Sequence, residues 1–343
     1  MTFPVAKTDP KASHLSKTLK YAKPLVSCRF DPTGRYLFGA SQDFAVVRWT
    51  LADDSMKVYK AHNSWVRGLE FSKDGKTIVS SGYDDRLFFW NVEDDREEPK
   101  PVREIVAHKG WIRAIALSPN GKWLASGGND RIVKLWEMET GKLVTELVGH
   151  ERDVYSLLWH PDDGTLFSGD LTGQIKRWNV AESKETMNYD GAALHTYNGG
   201  QQVSYGGIRG MALSPDNKTL FACGLHKGTN PLGAVQTPLV ISFDAQTKEA
   251  GKNWSIEGLQ AIAWQLYQHE DGYLVVGVGG SAGAHLVFIN PSEAKDFHRL
   301  KVSDVARELA MHPDGIQVAL ASSNGTAQIC RLEAKPPEAE GAK

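Results

Sequence analysis

His108 to Trp136 reads HKGWIRAIALSPNGKWLASGGNDRIVKLW, and the fold is decided by this stretch because its layout occurs three times. Histidine and closing tryptophan stand 28 positions apart in His62 to Trp90, in His108 to Trp136 and in His150 to Trp178. Between those ends each copy carries an apolar run, a Pro/Asp/Asn/Gly turn, a second apolar run ending in Ser-Gly or Ser-Ser-Gly, and a third run closing on Trp. Three short strands of this kind cannot bury both faces alone, so the copies are expected to stack radially.

The pattern resembles the WD40 repeat, the blade of a β-propeller. Gly149-His150 and Ala107-His108 stand where the family has Gly-His, and Trp136-Glu137 where it has Trp-Asp. The resemblance implies a hydrogen-bonded chain of His, Ser, Asp and Trp inside each blade, here His62, Ser80, Asp84 and Trp90, and His108, Ser126, Asp130 and Trp136. An indole N–H needs an acceptor, a hydroxyl both accepts and donates, and imidazole links it to a carboxylate. Left unpaired, each group would cost about 1–3 kcal/mol, so these residues are read as structural although they resemble a catalytic triad.

Blades can be counted independently by the turn between the first two strands. Seven such turns occur, at Asp31–Gly34, Ser72–Gly75, Ser118–Gly121, His160–Gly164, Ser214–Asn217, His269–Gly272 and His312–Gly315, each between apolar strands. The expected fold is therefore all-β, a seven-bladed propeller of four-stranded antiparallel blades over residues 13–333. The tetrad is read as complete only twice, since blade four has Thr172 where Asp is expected, and Phe243, Ile289 and Cys330 replace Trp in blades five to seven. After Thr326 to Leu332 the chain runs into KPPEAEGAK, too short and Pro-rich for another strand. Ser13 to Ala22 is therefore expected to be the outer strand of blade seven and to close the ring. Residues 1–12 are expected to be flexible and 334–343 to be a disordered tail.

A hydrophobic content of 41%, 23% charged residues, ten Trp and 33 Gly suit blades and tight turns. A formal charge of −2 provides no global field for nucleic acid or anionic membrane. Cys28, Cys223 and Cys330 are odd in number and lack CxxC spacing, which reads as small buried hydrophobes rather than a disulfide or metal site. The first residues carry no apolar signal-type run, and no stretch has the length of a membrane span. A cytoplasmic protein without cofactor or metal is the expectation.

The resemblance places the loops carrying Gly-His and those before the blade Asp on the top face, with the first inner-strand residue pointing into the channel mouth. Aligned units give Val26, Arg67, Arg113, Tyr155, Arg209, Gln260 and Arg307 there, with Trp65 and Trp111 on the rim and Gln42, Tyr83 and Asn129 before the Asp position. Guanidinium groups pair bidentately with carboxylate or phosphate and stack on indole. Arg67, Arg113, Arg209, Arg307, Trp65, Trp111, Tyr83 and Tyr155 are therefore the expected partner-binding residues. The expected function is a non-catalytic scaffold, a single propeller within a larger complex, holding a protein or peptide that is acidic or phosphorylated.

Two insertions, 192–207 and 225–238, fall on the same face, and together with Ser281 to Ala284 they are expected to wall one sector of the mouth. The first alternative is a hydrolase or other small-molecule enzyme with a pocket built by these insertions around His195 and His226. Gly279-Gly-Ser-Ala-Gly283 matches GxSxG, but lies between expected strands rather than before a helix. The second alternative is association with RNA or ribosome assembly through the same arginines, which the near-neutral charge disfavours.

Overall fold

All seven expected turns form, each closed by a backbone hydrogen bond from the N–H of its fourth residue to the carbonyl of its first, as in Gly34 to Asp31 and Asn217 to Ser214. That fourth residue is left-handed throughout. It is glycine in five turns, with φ of 70° in Gly75 and Gly315, and Asp163 (φ 59°) or Asn217 (φ 58°) in the other two, residue types that tolerate this region.

The computed structural model describes residues 7–228, 236–281, 283–302 and 306–335. The turns join seven four-stranded antiparallel sheets, whose inner strands are Leu25–Phe30, Val66–Phe71, Ile112–Leu117, Val154–Trp159, Gly210–Leu213, Ala261–Gln268 and Ala306–Met311. The ring closes as expected. His14–Lys20 pairs antiparallel with Thr326–Arg331, from His14 against Arg331 to Lys20 against Thr326, as the outer strand of blade seven.

Part of the segment expected to be loose, 1–12, is tied down. Asp9 donates its N–H to the Leu332 carbonyl at 2.7 Å, and Thr8 bonds to Asp271 and Tyr273. Residues 1–6, like 336–343 of the expected tail, lie outside the described residues.

The core lies between blades as well as within them. Phe38 and Tyr59 of blade one pack with Phe71, Ile78 and Trp90 of blade two. Within the blades the expected polar chains form. His62 Nδ1 meets Asp84 at 2.9 Å and its Nε2 meets Ser80 Oγ at 2.8 Å, while Trp90 Nε1 donates to the same hydroxyl at 2.9 Å. His108, Asp130, Ser126 and Trp136 repeat this at 2.7–2.9 Å.

A third tetrad corrects the reading of blade four. His150 meets Asp170 at 3.0 Å and Ser168 at 2.6 Å, and Trp178 donates to Ser168 at 2.7 Å. Asp170 pairs with Val154 just as Gly82 pairs with Val66 and Gly128 with Ile112. The acid thus sits at the glycine position, two residues early. At Gly82 a Cβ would collide with Asp84 and His62, so blade two needs glycine where its acid comes later. Thr172, at the expected acid position, donates its N–H and hydroxyl to Asp170, both at 2.9 Å.

A candidate functional site at the channel mouth

Six of the seven inner strands carry an irregularity that turns one side chain toward the axis. The register shifts between Leu25 and Ser27, Val66 and Gly68, Ile112 and Ala114, Val154 and Ser156, and Ala306 and Glu308, leaving Val26, Arg67, Arg113, Tyr155 and Arg307 as the bulged residues. A bulge re-aims its side chain and sharpens the local twist. Arg209 takes the corresponding place in blade five, donating its N–H to the Cys223 carbonyl.

Blade six departs from expectation. Its bulge lies between Ala263 and Gln265, so Trp264 and not Gln260 belongs to the mouth. The signal was in the sequence: in every blade the mouth residue stands five positions ahead of the turn.

From blade two to blade six the opening is lined by a continuous stack. Trp65 lies 6.0 Å from Tyr83, and Tyr83 lies 4.4 Å from Trp111 with planes 6° apart. Arg113 sits over Tyr83, Trp111 and Tyr155 at 4.7–5.2 Å. Arg209 covers Tyr155 at 4.3 Å and reaches Trp264 at 5.4 Å, so Tyr155 is held between two guanidinium groups. Trp65 and Trp111 remain 38% and 44% exposed, enough to offer flat apolar surface to a partner.

The four arginines differ in how they are satisfied. Arg113 donates to Asn129 Oδ1 at 2.8 Å and to the Tyr83 hydroxyl at 3.2 Å, with Asp153 no nearer than 3.9 Å. Arg67 reaches from blade two to Glu308 of blade seven at 2.5 Å. Burial alone would lower the pKa of Arg67, but the Glu308 carboxylate outweighs it and holds the guanidinium above its ordinary value. Arg209 and Arg307 have no hydrogen-bond partner for their side chains among the described residues, and the Nε atom of each is buried. Burial, joined by repulsion from Arg113 and Arg67, lowers Arg209; burial and Arg67 lower Arg307.

Below this layer the channel encloses about 400 Å³ and is floored by a second ion pair, Arg29 to Glu70 at 2.7 Å, with the Tyr267 hydroxyl at 3.4 Å. Glu308 was missed in the sequence. Its one signal is that it stands at a position occupied elsewhere by Ser27, Gly68, Ala114, Ser156, Gly210 and Gln265.

The two insertions do meet on the top face. His195–Asn198 and Val203–Gly206 form a hairpin beside the lengthened second strand of blade five, Thr219–His226. Residues 229–235 of the second insertion lie outside the described residues. His195 and His226 are not hydrogen-bonded to each other: His226 meets Ser255 Oγ at 3.2 Å, and the Nε2 of His195 is buried without a partner among the described residues. Burial lowers the pKa of both. Ser281 donates to the Gln260 carbonyl at 3.3 Å in the turn between Leu274–Gly280 and Gly283–Ile289, which is not a strand-to-helix elbow. The three cysteines are free and buried, and no cluster of metal-ligating side chains occurs among the described residues.

The family described as "WD domain, G-beta repeat" matches residues 53–91, 99–137 and 141–179. Each match takes the outer strand of one blade with three strands of the next. Similar proteins include polyadenylation factor subunit 2 of Gibberella zeae, 39% identical over 50% of this chain and 28% of that protein. The ribosome biogenesis protein WDR12 homolog of Arabidopsis thaliana is 26% identical over 43% of this chain and 29% of its own length. The periodic tryptophan protein 2 homolog of Schizosaccharomyces pombe is 27% identical over 68% of this chain and 22% of its own length. The chain thus spans under a third of the length of these relatives. With three matched repeats, seven four-stranded blades and tetrads in blades two to four, the chain belongs to the WD40-repeat propellers.

Proposed function

We propose that the protein is a non-catalytic scaffold that holds a protein or peptide partner on its top face. The observation that carries this reading is the exposed stack from Trp65 through Tyr83 and Trp111 to Arg113, continued by Tyr155 and Arg209. Trp, Tyr and Arg are the residues that most often dominate interface energies, and here they are rigidly held by one another. The partner's apolar side chains lie on Trp65 and Trp111, and its acidic groups face the arginines. Names of relatives from ribosome biogenesis and polyadenylation support membership of a larger complex. Because a propeller fold hosts many functions, the reading rests on the site and not on the fold.

Quantitative affinity purification comparing wild type with the double variant Arg67→Glu/Arg113→Glu tests it. Specific partners are expected to be lost from the variant while its thermal unfolding stays cooperative. Unchanged recovery would move the binding surface elsewhere.

A second reading, RNA association, is favoured by one observation, the flat stack Trp65–Tyr83–Trp111, since aromatic faces accept bases at about 1–3 kcal/mol each. The formal charge of −2 counts against it. A labelled single-stranded RNA titrated at low and raised salt separates the two, because phosphate-driven binding weakens steeply with salt.

A further inference from the structure

The charges lining the channel do not balance. Arg29 is matched by Glu70 and Arg67 by Glu308, whereas Arg209 and Arg307 form no ion pair among the described residues and the Nε of each is buried without an acceptor there. Arg67 and Arg209 line the same channel cavity as Glu308, which bonds to Arg67, and Arg307 is the bulged residue next to Glu308 in blade seven. A buried guanidinium N–H without an acceptor is costly, and the carboxylate that reaches this group among the described residues, Glu308, occupies a position that is small or neutral in the other six blades.

We propose that the mouth binds a doubly charged oxyanion, a phosphate group, between Arg67, Arg209 and Arg307, in competition with the chain's own Glu308 carboxylate. Two unmatched positive charges favour a dianion over a single carboxylate, and three guanidinium forks present more donors than one carboxylate accepts. Glu308 acts as an internal stand-in: it satisfies Arg67 until a stronger acceptor enters, and its repulsion of that acceptor sets the affinity. The inference rests on the preceding reading only in taking the top face as the binding face. The phosphate comes either as a free ion or on a partner's side chain.

The test is calorimetric titration of the full chain with orthophosphate at constant ionic strength, with acetate as the singly charged comparison and O-phosphoserine as the side-chain mimic. Saturable orthophosphate binding, with acetate far weaker, is expected. Arg307→Gln is expected to weaken binding about tenfold or more, the loss of one charge-assisted hydrogen bond, and Glu308→Gln to strengthen it several-fold. Arg209→Gln is a second probe that also breaks the stack on Tyr155, so Arg307→Gln, which disturbs no such contact, keeps the test open if the Arg209 variant unfolds. Tighter binding of O-phosphoserine than of orthophosphate assigns the site to a phosphorylated side chain, and the reverse order to the free ion.

No saturable heat with orthophosphate, no effect of Arg307→Gln, or weaker binding in Glu308→Gln would each overturn the proposal. The two readings fail separately. Phosphate binding lost with partner recovery still dependent on Trp65 and Trp111 sinks only the oxyanion site. Phosphate binding retained with no partner dependent on this face sinks only the scaffold.

Discussion

Blades two to four and blades five to seven solve the same packing problem with different chemistry. In the first group an indole donates to a serine hydroxyl backed by histidine and an acid. Strand register places Ala222, Val276 and Leu320 at the serine position of the second group, diagonal to Phe243, Ile289 and Cys330 at the indole position. From blade five to blade seven the closing residue shrinks from Phe through Ile to Cys while the residue under it grows from Ala through Val to Leu. Blade one extends the series the other way, with Trp49 lying on Gly39. In blades five to seven the shared volume is kept and the polar chain is dropped as a unit, because removing one member would leave the others unpaired.

The comparison can be broken most forcefully by importing one member alone. Leu320→Ser in blade seven removes a buried side chain and adds a hydroxyl with no indole to serve, and is expected to cost about 3–5 kcal/mol, read by urea unfolding. Next comes Ser126→Ala, which strips the acceptor from both Trp136 and His108 and is expected to cost about 2–4 kcal/mol. If the tetrad acts as a unit, Ser126→Ala and Trp136→Phe together, which reproduce the Ala222/Phe243 pair of blade five, should cost less than the sum of the singles. A coupling of at least about 1 kcal/mol is expected; simple additivity would contradict the argument.

Blade four sharpens the comparison, since its acid was displaced without loss of the chain. Asp170→Ala leaves His150 without its partner and should cost about 1–3 kcal/mol, whereas Thr172→Val removes one supporting hydrogen bond and should cost about 1 kcal/mol or less. The acids also set a pH dependence. Burial alone would raise Asp84, Asp130 and Asp170, but their histidine partners and backbone N–H groups outweigh it and hold all three below the usual range. The unfolded chain therefore takes up these protons first. The stability they contribute is present above about pH 4 and is lost as pH falls below it. Asp170→Asn should flatten that decline in proportion to its share, as measured by thermal unfolding across an acid series.

How much of this could be read from sequence depends on how locally each feature is encoded. The seven turns were legible because each needs a left-handed fourth residue, a demand met within four positions. The closing strand was legible by elimination. Asp170 was not, because the same carboxylate can reach His150 from either of two positions, and only the strand register says which one faces the ring. Glu308 was missed for a different reason. Its pairing joins blades two and seven across the channel, and no spacing along the chain marks residues 241 positions apart as neighbours.

A comparably small effect is expected where the two kinds of blade meet. Blade one has Asp43 without a histidine, and the partner it finds comes from the chain's beginning: the Tyr21 hydroxyl donates to Asp43 at 2.8 Å, just after the strand that closes blade seven. The bond fastens the closing strand to the next blade and replaces the imidazole of a tetrad with a phenol. Tyr21→Phe should cost about 1 kcal/mol, the net worth of one such bond to a charged acceptor at a partly exposed site. Burial, with Asp43 reinforcing it, raises the pKa of this hydroxyl well above its ordinary value. The unfolded chain therefore releases this proton first, so the contribution holds below about pH 10 and is lost above it. Wild type and Tyr21→Phe should accordingly converge in melting temperature as the solution is made alkaline. A difference that stayed constant through that range would mean that the ring of Tyr21, and not its hydroxyl, holds the closure.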